Sequence, residues 1–359
     1  MQNTWEIRKS DADRLLRWFR DHQRPLPWRD TQDAYAIWVS EIMLQQTRAD
    51  AVCDRFIRFM HALPTVHDLA QVPDDRLMKL WEGMGYYSRA RNLKKCAQTI
   101  VKDHDAKIPR DPAILQTLPG IGAYTAGAIA SQAFGVPVPA VDGNVLRVLA
   151  RFLGCHDDIR RPLAKTEMTA VIRSFFDAHK KQMSSTDISH FNQSLMELGA
   201  LICTPRAPAC LKCPWQKNCY ADRHRLTDTL PYRSPLKKRR IVERTLFILR
   251  SGNQFFLHKR AAGGLLAGMY EFPGTDTFLT KTEAVSYAEK QFHVPILHVE
   301  TLPEARHIFS HIEWHMHAFE LRIADTIKIS NLYPVTKEEI QKFAIPSAFK
   351  VYTRYYDFI

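Results

Sequence analysis

The stretch LPGIGAYTAG, residues 118–127, places two glycines two positions apart, directly behind a proline. Small and apolar residues follow at helical density from Ala123 to Phe134, and PAILQTL precedes the glycines. The pattern predicts a helix, a tight hairpin and a second helix, because Gly120 and Gly122 permit positive φ or a close backbone approach. Backbone N–H groups at such a helix start can hold a phosphate without reading sequence. Taken alone, PGIG also describes a plain turn.

The segments on both sides of this hairpin are helical. Apolar residues recur with a period of 3.6 in DADRLLRWFRDH, AYAIWVSEIMLQQ and ISHFNQSLMELGALIC, among others. Residues 223–241 are rich in basic residues and turn formers and lack a sustained apolar stripe, which indicates a linker. Strand-like runs, with short helical segments near 281–292 and 336–342, occupy residues 242–359. We expect a multidomain chain with an all-α region over residues 1–222 and an α+β domain over residues 242–359.

The charge of the chain is unevenly distributed. The formal net charge is +12, and residues 1–241 hold 37 Lys and Arg against 25 Asp and Glu, whereas the rest holds 13 of each. A one-sided basic domain favours a polyanionic partner, most simply nucleic acid, although a basic protein without such a partner fits the charge as well. The sequence begins without an apolar signal segment, and no apolar run has the length of a membrane span. We therefore expect a cytoplasmic protein without a membrane partner.

Four of the seven cysteines lie within seventeen residues. Cys203, Cys210, Cys213 and Cys219 follow the spacing C-x6-C-x2-C-x5-C, which is typical of a closed metal site. A disulfide set is unexpected in a chain without an export signal. Zn²⁺ and a [4Fe–4S] cluster both take four cysteines, and the spacing leaves both open. The same loop carries cations that it could present to phosphate, namely Arg206, Lys212 and Lys217.

Two carboxylates stand in positions that suit acid chemistry. Asp142, in VDGNV, precedes a helix that begins near Gly143 or Asn144, where the ordinary role of an aspartate is an N-cap. The functional alternative places its carboxylate beside a DNA backbone held by the hairpin. Glu41 lies on the apolar stripe of AYAIWVSEIMLQQ, where partial desolvation would raise its pKa and suit it as an acid. The ordinary alternative is an edge glutamate that pairs with an arginine.

Together these motifs resemble one known superfamily. LPGIGAYTAGAI…VDGNVLRVLAR, followed by the cysteine spacing, looks like the endonuclease III superfamily of base-excision DNA glycosylases, which carry a helix–hairpin–helix. LPWRD…WVSEIMLQQT, MGYYSRARNL and FNQSLMELGALIC resemble the MutY type within it, the adenine DNA glycosylases. The resemblance covers nearly the whole chain and is strongest through residue 222. It implies that the four cysteines hold a [4Fe–4S] cluster rather than zinc.

The resemblance also implies which residues are catalytic. Two carboxylates have different roles in the reaction. In the family, a glutamate protonates adenine at N7 and handles the water, and an aspartate stabilises, or covalently traps, the sugar cation. The matching residues are Glu41 and Asp142, and Asn144 matches an asparagine that supports the aspartate. Bifunctional superfamily members place an attacking lysine where this chain has Tyr124, and a phenol cannot form a Schiff base. We therefore expect base removal only, although core packing is the ordinary role of this tyrosine.

Further residues are implied for flipping and reading bases. By resemblance, Gln46 wedges into the gap that the flipped base leaves, and Tyr86 intercalates beside the opposite base. An ordinary aromatic at a helix start is the alternative for Tyr86. The residues that match the lining of the adenine pocket are Trp28, Arg29 and Glu197. Glu197 would accept a hydrogen bond from the exocyclic amine of adenine.

The second domain resembles the Nudix fold of MutT-like proteins, most clearly in GGLLAGMYEFPG. It departs from working hydrolases because no acidic Nudix box follows: Thr280 occupies its region, and SYAEKQF lacks the paired glutamates that bind magnesium. We therefore expect recognition without hydrolysis. Phe309, Ser310 and His311 match the family loop that senses 8-oxoguanine. The histidines at 307, 311, 315 and 317 fit alternation along a strand better than a metal site.

Three functions are consistent with these features. The leading one is a monofunctional adenine glycosylase that acts as a monomer on double-stranded DNA containing A:8-oxoG or A:G mispairs, in the bacterial cytoplasm at the nucleoid. The second is an endonuclease III-like glycosylase and lyase for damaged pyrimidines, which Tyr124 and the second domain disfavour. The third is a non-catalytic iron–sulfur regulator that binds DNA, which the pair Glu41 and Asp142 disfavours.

Overall fold

Helices occupy the first part of the chain, and strands begin at Arg240. A computed structural model describes residues 5–29, 31–235, 238–324 and 328–356. The chain divides into two units: the first holds residues 1–71 and 92–235, and the second holds residues 72–91 and 236–359. The second unit is thus discontinuous in sequence.

The expected all-α region is confirmed. In chain order its helices are α1 (Lys9–His22), α2 (Ala34–Leu44), α3 (Ala49–Ala62), α4 (Val66–Gln71), α5 (Asp74–Leu80), α6 (Ser88–Asp103), α7 (Pro112–Thr117), α8 (Ala123–Phe134), α9 (Gly143–Leu153), α10 (Pro162–His179), α11 (Ser185–Leu201) and α12 (Tyr220–Arg223). Of these, α5 belongs to the second unit, and α6 begins in the residues of the second unit and continues in those of the first.

Helix α2 is buried along nearly its whole surface. Asp33 begins it by accepting hydrogen bonds from the backbone N–H groups of Tyr35 and Ala36. Nine of its eleven residues are buried, and a helix that is apolar on all sides is an internal one. Glu41 is therefore an ionisable side chain in the interior of the first unit.

A single apolar core joins α1, α9, α10 and α11 in the first unit. Its members include Phe19 of α1, Leu149 of α9, Phe176 of α10 and Phe191 of α11, all fully buried. Burial of such side chains contributes about 1.5–3 kcal/mol each. This core fixes the start of α9, which carries Asp142 as its N-cap.

Helix α8 and the segment that follows it are in unusually close contact. A Cβ atom at Gly127 would lie 2.1 Å from the carbonyl oxygen of Pro139, so only glycine fits this site. Gly135 ends the helix with φ of 61°, in the left-handed region that a glycine C-cap occupies without strain. The chain therefore returns along α8 and leads directly to Asp142.

The second unit contains one mixed sheet, which confirms the expected α+β class. Its described strands are β1 (Arg240–Ser251), β2 (Gln254–Lys259), β3 (Tyr270–Glu271), β4 (Gly274–Thr275), β5 (Ile296–Ile308), β6 (Ile312–Ile323) and β7 (Leu332–Thr336). The order is β3-β2-β1-β6-β5, with β4 paired to β1 and β7 paired to β2. β1 and β6 run parallel, and the other described pairs are antiparallel.

Apolar layers cover both faces of this sheet. On one face, α13 (Lys281–Phe292) buries Ala284 and Ala288 against Phe247 and Phe319. On the other face, Tyr352 of α14 (Lys350–Tyr355) packs in a core with side chains such as Trp314 and Met316. Alternate residues of β6 thus enter opposite layers, as the pleat of a strand requires.

Some local expectations differ from the structure. The helical segment expected near 336–342 is shorter than predicted, because β7 ends at Thr336 and a 3₁₀ turn spans Ile340–Lys342. The expected linker over 223–241 is anchored within its length, since Arg151 Nε donates to the Leu230 carbonyl and Leu230 is buried, although most of its described residues are exposed. Residues 236–237 of that linker lie outside the described residues. Among the described helices, none has the length and apolar character needed to cross a membrane.

Candidate active site

A cavity of about 970 Å³ opens in the first unit, where loops and helix ends meet. The side chains around it come from the loop before α2, the end of α2, the starts of α8 and α9, and α11. Most of the residues expected in the reaction and the adenine pocket line this one cavity: Trp28, Arg29, Glu41, Gln46, Gly122, Tyr124, Asp142, Asn144 and Glu197. Residues that are distant in sequence are therefore brought together, including both candidate carboxylates.

Glu41 is 4% exposed and is held by two hydrogen bonds from α8. Tyr124 Oη donates to Glu41 Oε2 at 2.6 Å, and Gln132 Nε2 donates to Glu41 Oε1 at 2.9 Å. Burial raises the pKa of Glu41, and these two hydrogen bonds oppose the rise without cancelling it. The desolvation expected from its place on an apolar stripe is present, and it favours the protonated form that an acid needs.

Asp142 combines its capping role with a place in the cavity. Its Oδ1 accepts from the Val145 backbone N–H at 2.8 Å, and its Oδ2 accepts from Asn144 Nδ2 at 3.0 Å. Burial raises the pKa of Asp142, while these hydrogen bonds and the charge of Arg147 favour the ionised form. Arg147 in turn donates to Asn144 Oδ1 and to the Cys203 carbonyl. A hydrogen-bonded series therefore links the aspartate to the cysteine loop.

Tyr124 donates a hydrogen bond to Glu41 and also packs beside Met196. Besides its bond to Glu41, its hydroxyl lies 3.8 Å from Met196 Sδ. Burial and the two nearby carboxylates raise its pKa well above the ordinary value. The side chain is thus a neutral phenol that donates a hydrogen bond.

Glu197 is buried between two guanidinium groups. Oε1 accepts from Arg24 N, Arg24 Nε and Arg29 Nη1, and Oε2 accepts from Arg24 Nη2 and Arg29 Nη2. Burial raises the pKa of Glu197, but the bonds from the arginines prevail and lower it to about 2. A carboxylate offers about four lone-pair sites. The arginines therefore occupy the oxygens expected to accept the amine of adenine.

Trp28 and Arg29, which are expected to line the adenine pocket, pack closely against neighbouring rings. Trp28 is 5% exposed and meets Phe56 edge-to-face, with 5.4 Å between the ring centroids. The Arg29 guanidinium lies 5.3 Å from the centre of the Phe19 ring. Both pocket residues are therefore held by packing and do not need a ligand to order them.

The hairpin has the backbone that the glycine spacing predicts. Gly120 has φ of 78°, and a Cβ there would lie 2.8 Å from Asn92 Cβ. Gly122 is the N-cap of α8 and supplies no side chain to its first N–H groups. A Cβ at Gly122 would have no neighbour within 4 Å, so the start of α8 is open to a ligand.

The two residues expected to enter the base stack share an uncommon backbone. Gln46 has φ of 58° and Tyr86 has φ of 47°, a conformation that costs energy for residues with a Cβ. Both side chains are exposed. In the second unit, the Tyr86 loop is held by Arg89, whose Nη2 donates to the Met84 and Gly85 carbonyls.

The four clustered cysteines line one small cavity, together with Arg151 and Asp222. None of the four forms a disulfide. Arg151 Nη1 donates to Cys203 Sγ at 3.4 Å, and Cys219 Sγ lies 3.6 Å from the Arg151 carbonyl. Among the described residues, no group of His, Cys, Asp and Glu is arranged around a single metal ion. Four cysteines around one cavity, with a hydrogen bond from Arg151 to the sulfur of Cys203, fit a cluster.

The expected lesion loop forms the turn between β5 and β6 in the second unit. Phe309 packs against Trp314 with 4.8 Å between ring centroids, while Ser310 and His311 are exposed and contact each other at 3.2 Å. Thr280, in the region of the missing Nudix box, instead caps α13 in a reciprocal box with Glu283. His315 and His317 alternate with core residues along β6.

Two residues of the site were missed in the sequence. Gln132 donates to Glu41, and Arg24 binds Glu197. A signal existed for Gln132, because it is a large polar residue in the otherwise small and apolar run AYTAGAIASQAF. Arg24 gave no such signal, since arginines are common in this region.

Known proteins are similar to this chain over most of its length. A model described as HhH-GPD superfamily base excision DNA repair protein matches residues 39–174, and a NUDIX domain model matches residues 245–354. The human adenine DNA glycosylase is 31% identical, over 95% of this chain and 73% of its own length. The adenine DNA glycosylase of Buchnera aphidicola subsp. Schizaphis graminum is 31% identical over 84% of each chain.

A solved structure of a thermostable thymine-DNA glycosylase, 28% identical, superposes with a TM-score of 0.53 over 60% of this chain and 98% of its own. This similarity supports the fold, while the curated relatives define the group. Their identity extends over most of both chains and includes both matched domains. The chain therefore belongs to the adenine DNA glycosylase family of base-excision repair proteins.

Proposed function

We propose that this glycosylase removes adenine mispaired with 8-oxoguanine or guanine in duplex DNA, as a monomer and without a lyase step. The observation that carries the catalytic part is a buried Glu41, with a raised pKa, in the same cavity as Asp142. The relatives named adenine DNA glycosylases support the choice of base over the endonuclease III-like alternative. A bacterial relative is consistent with action in the cytoplasm on nucleoid DNA.

In the proposed reaction, Glu41 gives its proton to N7 of adenine while the bond between C1′ and N9 breaks. Adenine leaves as a neutral base, and the positive charge stays on the sugar. The ionised Asp142 stabilises that cation electrostatically. Water then adds to C1′ and gives a proton back to Glu41, which restores the acid.

The absence of a lyase step follows from Tyr124. A lyase needs an amine that forms a Schiff base with the opened sugar, and a phenol has none. The Tyr124 hydroxyl is also occupied by its hydrogen bond to Glu41. We therefore assign Tyr124 to the support of the acid.

The proposed adenine pocket differs from the expectation in one respect. Because Arg24 and Arg29 occupy both oxygens of Glu197, we assign Glu197 to holding these arginines at the cavity wall. Trp28 supplies an aromatic wall. Adenine would then be read by the arginine N–H groups and by shape.

For the lesion side, we propose that Gln46 and Tyr86 enter the stack and that the loop from Phe309 to His311 reads 8-oxoguanine. Two features support this role: the exposed side chains and the strained backbone of Gln46 and Tyr86. Stacking of an aromatic on a base is worth about 1–3 kcal/mol. Gly120 and Gly122 would hold a phosphate of the same strand at the start of α8.

We propose that Cys203, Cys210, Cys213 and Cys219 hold a [4Fe–4S] cluster. Its iron–sulfur bonds would fix the loop and the cations Arg206, Lys212 and Lys217, which are exposed. About four iron atoms per chain in the purified protein, as such a cluster contains, would support this assignment. Zinc in place of iron would contradict it.

The function is tested by measuring single-turnover base release from duplexes that differ only in the base pair under test. We expect the protein to release adenine from A:8-oxoG and A:G duplexes but not from A:T duplexes. We also expect no release of thymine glycol from a duplex that contains it. Asp142→Asn should retain DNA binding and lose base release by about 100-fold or more, because it removes the charge that stabilises the cation. Thymine glycol excision without adenine release would contradict the proposal, as would full activity of Asp142→Asn.

A further inference from the structure

Glu41 is held between the two ends of one helix. Tyr124 stands in the first turn of α8 and Gln132 stands in its last turn, and each donates to a different oxygen of the Glu41 carboxyl. The two donors are eight positions apart in the helix, which is about 12 Å along its axis. The orientation of the carboxyl plane in the cavity is therefore fixed from both sides.

The two donors differ in what they can do when Glu41 carries a proton. A phenol hydroxyl both donates and accepts, so Tyr124 can turn and accept the proton held on Oε2. The Gln132 N–H can only donate, so it needs an unprotonated oxygen opposite it. A proton on Oε1 would point at this N–H and break the bond. The pair of hydrogen bonds thus favours one of two possible acid tautomers.

We propose that Gln132 is a positioning residue that keeps the proton of Glu41 on Oε2, the carboxyl oxygen that is hydrogen-bonded to Tyr124. The inference rests on the role proposed for Glu41. It adds a residue to the machinery of adenine release, because the oxygen that carries the proton decides from which side of the carboxyl group the acid can transfer it.

The place of Gln132 in the fold agrees with this role. It lines the active-site cavity and also a second cavity of about 250 Å³, which is bordered by polar residues such as Ser189 and His190. Gln193 lines the same two cavities, but its Nε2 donates to Ser189 Oγ within its own helix. Gln193 is therefore a matched control: the same side chain, the same cavities and a different partner.

Two titratable groups act on Glu41 in the described structure, namely Tyr124 of α8 and Asp142 at the start of α9. Neither changes in the variants used for the test. A change in the pH profile of Gln132→Met therefore reports on Glu41 and the loss of its amide partner.

The test measures single-turnover adenine release against pH for wild type, Gln132→Met and Gln193→Met. Methionine keeps the length and apolar bulk of glutamine and removes the donor. We expect the inflection of Gln132→Met to move upward by about one pH unit, because the missing donor stabilised the ionised carboxylate. Its plateau rate should fall about tenfold, since the proton is no longer confined to one oxygen. Gln193→Met should keep the wild-type inflection.

A second variant keeps the inference testable if Gln132→Met folds poorly. Gln132→Glu places a like charge beside Glu41 and should move the inflection upward further than Gln132→Met. Wild-type profiles for both Gln132 variants would overturn the inference, and so would an equal shift in Gln193→Met. Glu41→Gln distinguishes a failure of the proposed function from a failure of this inference. If Glu41→Gln retains activity, the proposed role of Glu41 is wrong. If Glu41→Gln is inactive but the Gln132 variants keep the wild-type inflection, only the inference about Gln132 is refuted.

Discussion

A carboxyl group in the interior makes the stability of this protein depend on pH. Folding raises the pKa of Glu41 above its ordinary value of 4.5, so the folded chain binds its proton more tightly than the unfolded chain. The stabilisation is fully present below the unfolded pKa and is lost as pH rises through the folded pKa. At neutral pH, burial of Glu41 therefore lowers the free energy of unfolding relative to a neutral side chain at the same position.

Glu41→Gln should therefore be more stable than wild type at about pH 8, and the difference should shrink toward about pH 4. Thermal unfolding of both proteins across this range measures the effect. Gln193→Met, which leaves Glu41 unchanged, is the control and should follow the wild-type pH dependence. A glutamine variant that melts below wild type at every pH would show that the two hydrogen bonds outweigh the burial.

The position of a single side chain was predictable where its polarity differed from that of the surrounding residues in the sequence. Glu41 is a charge within an apolar helix, and the structure buries it. Glu197 was placed at the cavity, but its saturation by Arg24 and Arg29 was not foreseen. That pairing depends on a loop from the start of the chain reaching α11, which periodicity does not encode.

At the level of helices, the contact between α8 and the segment before Asp142 controls the site. Gly127→Ala would force its Cβ toward the Pro139 carbonyl, which lies 2.1 Å away and belongs to the backbone. We expect a loss of about 1–3 kcal/mol in unfolding free energy, because backbone must move. Adenine release should fall as well, since the same segment leads to Asp142.

Gly143→Ala is the stability control for this change. A Cβ at Gly143 has no neighbour within 4 Å, and its φ lies outside the left-handed region. Denaturant unfolding should leave this variant at wild-type stability or slightly above it. Equal losses in both variants would contradict the proposed clash at Gly127.

The sequence predicted strongly marked elements better than weak ones. The helix near 281–292 has a capping box and is observed as α13. The expected helical segment near 336–342 is reduced to a 3₁₀ turn over Ile340–Lys342, and the residues before it, 332–336, pair with β2. Strand formation there depends on a partner, and Pro334 weakens any local strand signal.

For the chain as a whole, the charge distribution predicts how DNA binding responds to salt. The excess of cations lies in residues 1–241, including the exposed Lys212 of the cysteine loop. Removing a cation that binds one phosphate should reduce the slope of log affinity against log salt by about one. We expect Lys212→Gln to reduce the slope by about that amount.

Binding titrations at several salt concentrations measure this slope. Lys337→Gln, an exposed lysine in the charge-balanced part of the chain, is the control and should keep the wild-type slope. Equal slopes for all three proteins would contradict phosphate binding by the cysteine loop.

The discontinuous second unit has a consequence for the time order of folding during synthesis. Residues 72–91 leave the ribosome long before the strands they pack with, including the contacts of Asp75 with Lys259 and of Arg91 with the Ala267 carbonyl. Domains that are continuous in sequence can fold as they emerge. This segment, with Tyr86, must wait until translation has passed residue 267. We therefore expect the unit that contains Glu41 and Asp142 and the unit that contains Tyr86 to complete folding at different moments.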